Sequence, residues 1–233
     1  MGLTMKSVLW PEQIAAYRLA RAFGFMDVPT PEQMQRTIND ARKVLGDALI
    51  AGGVAVGYYG WKRITQDVDL LYSATDGTIL ARLRKDFRIV IKANSGWHEL
   101  AHRKTKVRLE LIPEGGIGTY GFIPGPRTVG GRDGMISLLG LSWMKLVSGR
   151  SKDITDLVEI AKSQLDEMRS IQSGLPPELQ PRFAEALAQA QKELDYDPHH
   201  ENRGGAQSAQ EAAPRYGKVR KPKAAAKGRK VNR

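Results

Sequence analysis

Between Ala48 and Leu71 the chain reads ALIAGGVAVGYYGWKRITQDVDLL, and this stretch narrows the choice of fold more than any other. ALIA is short, apolar and bounded by glycine, which predicts a buried strand. After Gly52 and Gly53, the small-residue run VAVGYYGW predicts a helix lying close to a sheet, and TQDVDLLY predicts a second strand. Strand, glycine pair, helix and strand in that order commit the chain to a sheet with helices packed against it. The second strand also carries an unusual load. Residues i and i+2 of a strand share a face, so Asp67 and Asp69 project together while Val68 and Leu70 face the other way.

Two neighbouring carboxylates repel and resist burial. A divalent cation removes that cost, and hard oxygen ligands select Mg²⁺ or Mn²⁺. The alternative is that Asp67 caps a turn at the strand mouth while Asp69 pairs with a lysine or arginine. Two further features bear on the choice. Glycines at 52 and 53, fourteen positions upstream when counted from Gly53 to Asp67, let backbone N–H groups approach a phosphate closely. A third acid, Glu110, sits in the apolar stretch VRLEL. Placed beside the Asp67 strand, it brings three carboxylates to one or two metals, able to activate a hydroxyl and neutralise a triphosphate. Otherwise Glu110 pairs with Arg108 on a solvent-facing strand.

The remaining chain fills in the same plan. PEQIAAYRLARAFGF reads as a short amphipathic helix. TPEQMQRTINDARKVLG has Thr30 as N-cap, Pro31 at the first helical position, Gln33 completing a capping box, and Gly46 as the stop. TDGTILARLRKDF predicts a helix, RIVIKA a strand, and WHELAHR with KVRLELIP a strand pair around the turn RKT. His98 and His102 then stand about 13 Å apart along a strand, so they are surface or cleft residues and not a helical metal pair. A Gly/Pro-rich stretch, PEGGIGTYGFIPGPRTVGGRDG, reads as a long surface loop over a site. Three helical segments follow: MISLLGLSWMKLVSGR, SKDITDLVEIAKSQLDEM with Ser151 as cap, and PPELQPRFAEALAQAQKEL. The expected fold is therefore α/β (α+β), a mixed sheet flanked by helices, then a small helical subdomain and a basic tail. The boundaries read as N-terminal helices over 1–46, core sheet and loop over 47–133, helical subdomain over 134–197 and tail over 198–233.

Composition sets limits on function. The chain has no cysteine, which excludes disulfides, thiolate zinc sites and a cysteine nucleophile and agrees with a reducing compartment. No apolar run reaches the roughly 18 to 20 residues that span a bilayer, and the first residues lack the regions of a signal peptide, so the expected location is cytoplasmic, with no membrane partner. Net charge is +11, but residues 199–233 carry ten Lys or Arg against two Glu, leaving +3 for everything before them. That tail is poor in large apolar side chains and reads as disordered, serving either as an RNA or DNA contact through counterion release or as a solubilising segment. The part before it has no basic recognition helix, which argues against a plain DNA-binding protein.

Taken together, AGGVAVGYYGWKRITQDVDLL resembles the signature of the polymerase-beta-type nucleotidyltransferase superfamily: a glycine turn, ten to thirteen residues, Asp-x-Asp, and a later third acid. The fuller pattern, with Arg63 and Thr65 matching R-x-T, resembles the small bacterial branch that includes the nucleotidyltransferases of abortive-infection (type IV toxin–antitoxin) systems. LSWMKLVSGRSKDITDLVEI is similar to that branch's K-L-x-x-x-R-x-K-D-x-x-D helix pair, and the resemblance covers about Ala48 to Ile160. It implies that Gly52 and Gly53, with Arg63, Thr65 and Lys152, bind the nucleotide. It further implies that Asp67, Asp69 and Glu110 bind Mg²⁺ (or Mn²⁺), and that Lys145 and Asp153 complete a catalytic set with those three acids. Lys145 would neutralise phosphate charge as pyrophosphate leaves. Asp156 shares a helix face with Asp153 and supports it. Two positions depart from the pattern: Glu110 stands where the family often has Asp, and Gly53 where many members have Ser. The implied activity moves an NMP from an NTP to an acceptor hydroxyl on RNA (a tRNA 3′ end among them), protein or a small molecule, with a toxin–antitoxin partner protein. The departures leave a second reading open, a catalytically weak member of this fold that acts as an antitoxin-like or RNA-binding module.

Overall fold

The computed structural model describes residues 11–22, 28–61, 63–73, 78–92 and 97–196; the basic tail and the first ten residues lie outside them. In chain order the elements are α1 (Pro11–Ala22), α2 (Pro31–Leu45), β1 (Leu49–Ala51), α3 (Gly52–Tyr58), β2 (Asp67–Tyr72), α4 (Ile79–Leu83), β3 (Phe87–Lys92), β4 (His98–His102) and β5 (Arg108–Pro113). Then come the short β6 (Ile117–Gly118) and β7 (Gly121–Phe122), and the helices α5 (Pro126–Val129), α6 (Leu138–Ser148), α7 (Ser151–Ser163), α8 (Leu165–Ile171) and α9 (Gln180–Asp195). The described residues through Asp195 pack as one compact unit. No described helix is long and apolar enough to cross a membrane.

The expected mixed sheet is present, ordered β1-β2-β5-β4-β3. Strand β2 pairs antiparallel with β1 and parallel with β5, while β5, β4 and β3 form an antiparallel meander. The pairing places Asp69 beside Ala51 on one side and Glu110 on the other, and Glu110 beside Glu99. Paired residues share a face, so one face of the sheet gathers Asp67, Asp69, Glu110 and Ile112, while Val68, Leu70, Leu100, Leu109 and Leu111 turn to the other and are fully buried.

Helix α2 covers that apolar face with Met34, Ile38 and Ala41. Its start is the expected capping box: Gln33 N–H donates to Thr30 Oγ1 (3.2 Å) and Thr30 N–H to Gln33 Oε1 (2.7 Å). The histidines of β4 differ from the surface or cleft expectation. Both lie on the apolar face with Leu100, and His102 has no exposure at all. Its Nε2 meets Asp40 Oδ2 (3.2 Å) and its Nδ1 accepts the Thr105 N–H (3.0 Å), which ties the β4–β5 turn to α2. Burial holds the imidazole below its ordinary pKa, against the pull of Asp40.

Three boundaries move. Met135 and Ile136 do not begin a helix; they bridge to β1, with Ile136 N–H on Ile50 O (2.9 Å), and α6 starts after Ser137, whose Oγ caps Gly140 N–H (3.1 Å). Ser151 is the first residue of α7 and not its cap, a place taken by Arg150. The segment expected to run on to Met168 breaks at Gln164, whose amide crosses to the Tyr59 carbonyl. The Gly/Pro stretch is also built: it holds the β6–β7 hairpin and α5, and Gly118 packs so tightly on Val147 that a Cβ would lie 2.3 Å from its side chain.

Candidate functional site

A cavity of about 480 Å³ opens between the acidic face of the sheet, the β6–β7 hairpin and helix α6. Its polar lining includes Gly52, Asp69, Glu110, Arg150 and Asp153, and its apolar lining Ile112, Ile117, Ile123, Leu141, Met144 and Val147. Among the expected site residues, Gly52, Asp69, Glu110, Lys145 and Asp153 line it.

The acidic lining is held by close packing. Gly52 has φ +55° and a Cβ there would fall 1.6 Å from Asp69 Oδ2, so only glycine fits the turn. Gly53 N–H donates to Asp69 Oδ2 (3.3 Å), and a Cβ on Gly53 would meet Thr65 Oγ1 at 2.6 Å. Thr65 in turn donates to Asp67 Oδ1 (2.8 Å), and its backbone is clamped by Tyr17, which accepts from Thr65 N–H (2.8 Å) and donates to Thr65 O (3.0 Å). Asp69 and Glu110 are cross-strand partners on β2 and β5, and both line the cavity. Burial, reinforced by Glu110 and Asp67, drives the Asp69 carboxyl well above the ordinary carboxylate range, with Gly53 N–H pulling the other way.

A second acidic group stands opposite. Lys145 Nζ lies 2.6 Å from both Asp153 Oδ1 and Asp156 Oδ2. Arg63 closes on Asp156 through Nε (3.0 Å) and Nη2 (3.1 Å), while Ser148 Oγ and Arg150 Nε each donate to Asp153 Oδ2 at 2.7 Å. Burial raises Asp153, but Lys145, Ser148 and Arg150 together outweigh it and hold the carboxyl below its usual range. Lys145, expected to face phosphates, therefore has its ammonium on two carboxylates. Arg63 braces α7 against the segment before β2, and Lys152 points to solvent away from the cavity.

Two residues without a role assigned from sequence join the site, Arg150 standing within the matched helix-pair pattern. Trp97 Nε1–H donates to Glu110 Oε1 (2.5 Å), and Arg150 stands in the cavity as a cation facing Asp69 and Glu110. Arg150 lies three residues before Asp153, a spacing that signals a helical ion pair. Trp97 carries no such sign, because it reaches Glu110 only once β4 and β5 pair.

The donors of the acidic lining are oxygens alone, which suits a hard divalent cation: Asp69 and Glu110 stand side by side, and Asp67 lies beside them within Coulombic reach. Among the described residues no three acidic or imidazole side chains converge as a closed metal cage. Asp67 is turned to Thr65.

No protein-family profile matches the chain, and no curated protein matches it. Among solved structures, a crystal structure from H. pylori described as a "putative nucleotidyltransferase" is similar at 17% identity and a TM-score of 0.35, covering 70% of this chain and 97% of that one. A likeness of that size leaves function to be argued from the site.

Proposed function

We propose that this chain is a divalent-cation-dependent nucleotidyltransferase, moving an NMP from an NTP to an acceptor hydroxyl with release of pyrophosphate. One observation carries the reading: buried Asp69 and half-buried Glu110 stand side by side on adjacent parallel strands, next to a glycine turn that excludes any Cβ. Like charges are placed so only where a cation or proton joins them. Asp67, Asp69 and Glu110 would hold Mg²⁺ or Mn²⁺, which supplies neutralisation of triphosphate charge and acidification of the attacking hydroxyl.

The chain's own residues do the rest. Gly52 and Gly53 let the backbone come close to phosphate oxygens. Thr65 fixes Asp67, Trp97 fixes one oxygen of Glu110, and the aliphatic lining of the cavity receives the nucleoside. The acceptor is RNA, a protein hydroxyl or a small molecule; the basic tail favours RNA, and the likeness to toxin-system enzymes favours a partner protein.

Incubation with each NTP and Mg²⁺ should release pyrophosphate, and Asp69→Asn should abolish the release while the protein stays folded. Release that persists in Asp69→Asn refutes the assignment. A second reading, a weak or inactive binding module, is favoured by the lack of a closed three-ligand cage among the described residues. Under it, wild type binds NTP and releases no pyrophosphate with any divalent cation.

A further inference from the structure

Resting on the nucleotidyltransferase reading, we infer that Arg150, and not Lys145, is the cation that grips the substrate's phosphates, with Lys145, Asp153 and Asp156 forming the frame that aims it. The two side chains are used in opposite ways. Lys145 is buried, and its ammonium is held by two carboxylates at 2.6 Å. Moving it to a phosphate would leave two buried acids with one cation each, Asp156 with Arg63 and Asp153 with Arg150. Arg150 spends only Nε, on Asp153 Oδ2 at 2.7 Å. Its Nη groups make no hydrogen bond to any described residue, and its side chain, 57% exposed, lines the cavity together with Gly52, Asp69 and Glu110.

That arrangement suits an anion better than a structural ion pair does. Guanidinium presents N–H donors in a rigid fork that matches phosphate oxygens, and it stays charged at every working pH. Fixing Nε removes much of the side chain's freedom before substrate arrives, so less is lost on binding. The backbone adds to this: Gly149 takes the left-handed conformation (φ +67°) between α6 and α7, and Arg150 O accepts Asp153 N–H (2.9 Å), so Arg150 is set at a fixed corner. Without substrate, the guanidinium shares the cavity with Asp69 and Glu110 and would compete there with a divalent cation for them.

Two binding measurements by calorimetry test the assignment: ATP in the presence of Mg²⁺, and Mn²⁺ alone. Arg150→Gln is expected to weaken ATP about 10- to 100-fold, the loss of charge-assisted hydrogen bonds, and to tighten Mn²⁺ in the absence of ATP. Arg150→Lys, which keeps the charge and loses the fork, should fall between and guards against a folding defect. ATP binding unchanged in both variants overturns the role of Arg150 while leaving the nucleotidyltransferase reading intact. No ATP binding by wild type with Mg²⁺ or Mn²⁺ overturns both. A purely structural Arg150 would not move the two affinities in opposite directions.

Discussion

Asp153 and Asp156 lie against Lys145, Arg63 and Arg150, whereas Asp69 and Glu110 lie against each other. Asp153, Asp156 and Asp69 are buried and Glu110 is half-buried, and both groups border or back the same cavity, yet Asp153 is held below its ordinary range and Asp69 pushed well above it. The difference separates a frame from a site. A buried acid that has its cations built in contributes to the fold and has nothing left to offer a ligand. A buried acid that lacks them is costly to ionise, and that cost is relieved only by a proton or by a cation arriving from outside.

The sharpest way to break this comparison is to take the counter-charge from the frame. Lys145→Met leaves Asp153 and Asp156 buried against Arg63 and Arg150 alone, and removing one partner of such a group costs about 3–5 kcal/mol. Urea unfolding should show a loss of that size. Asp69→Asn should show none, because the amide removes a repulsion while keeping the shape. If Asp69→Asn is the more destabilised of the two, the assignment of frame and site is reversed.

Titration comes next in size and acts on the two groups in opposite senses. Asp69 has a raised folded-state pKa, so between the ordinary aspartate value and that raised value the native chain keeps a proton which the unfolded chain has released. Stability therefore falls as pH climbs through this interval and stays lower above it. Asp153 has a lowered pKa; its contribution is complete above the ordinary value and is lost as pH drops toward the depressed one. In chelator, thermal melts should lose stability as pH rises past the carboxylate range, Mg²⁺ should restore it, and Asp69→Asn should flatten the slope. A slope that survives in Asp69→Asn assigns it to another group.

How far each group could be read from the sequence follows from how local its contacts are. The capping box of α2 lies within four residues and was legible in full. Asp67 and Asp69 share a face by strand alternation alone. The meeting of Asp69 with Glu110 depends on β2 skipping β3 and β4 to pair with β5, which no spacing encodes. The alternation His98, Leu100, His102 did mark an apolar face and so the burial of both histidines, but their polar rings drew the reading outward. The motif likeness alone points Lys145 at phosphates; its ion pair with Asp153 depends on the sharp turn at Gly149, which brings α6 and α7 together.

The smallest expected effect tests how finely the site is tuned. Trp97 forms part of the cavity wall and gives its indole N–H to Glu110 Oε1, leaving Oε2 as the oxygen free to turn toward Asp69 or a cation. Trp97→Phe keeps an aromatic wall and removes the donor, so unfolding free energy should change by about 0.5–1.5 kcal/mol, the net worth of one hydrogen bond. Cation affinity should change more, because a ligand's hydrogen-bonded support typically contributes 10- to 100-fold to metal binding. Calorimetry with Mn²⁺ should therefore show about tenfold weakening in Trp97→Phe, and none beyond that of Glu110→Gln when the two changes are combined. Equal, additive losses in the double variant would make Trp97 a wall and nothing more, and would place the control of Glu110 in the β4–β5 pairing itself.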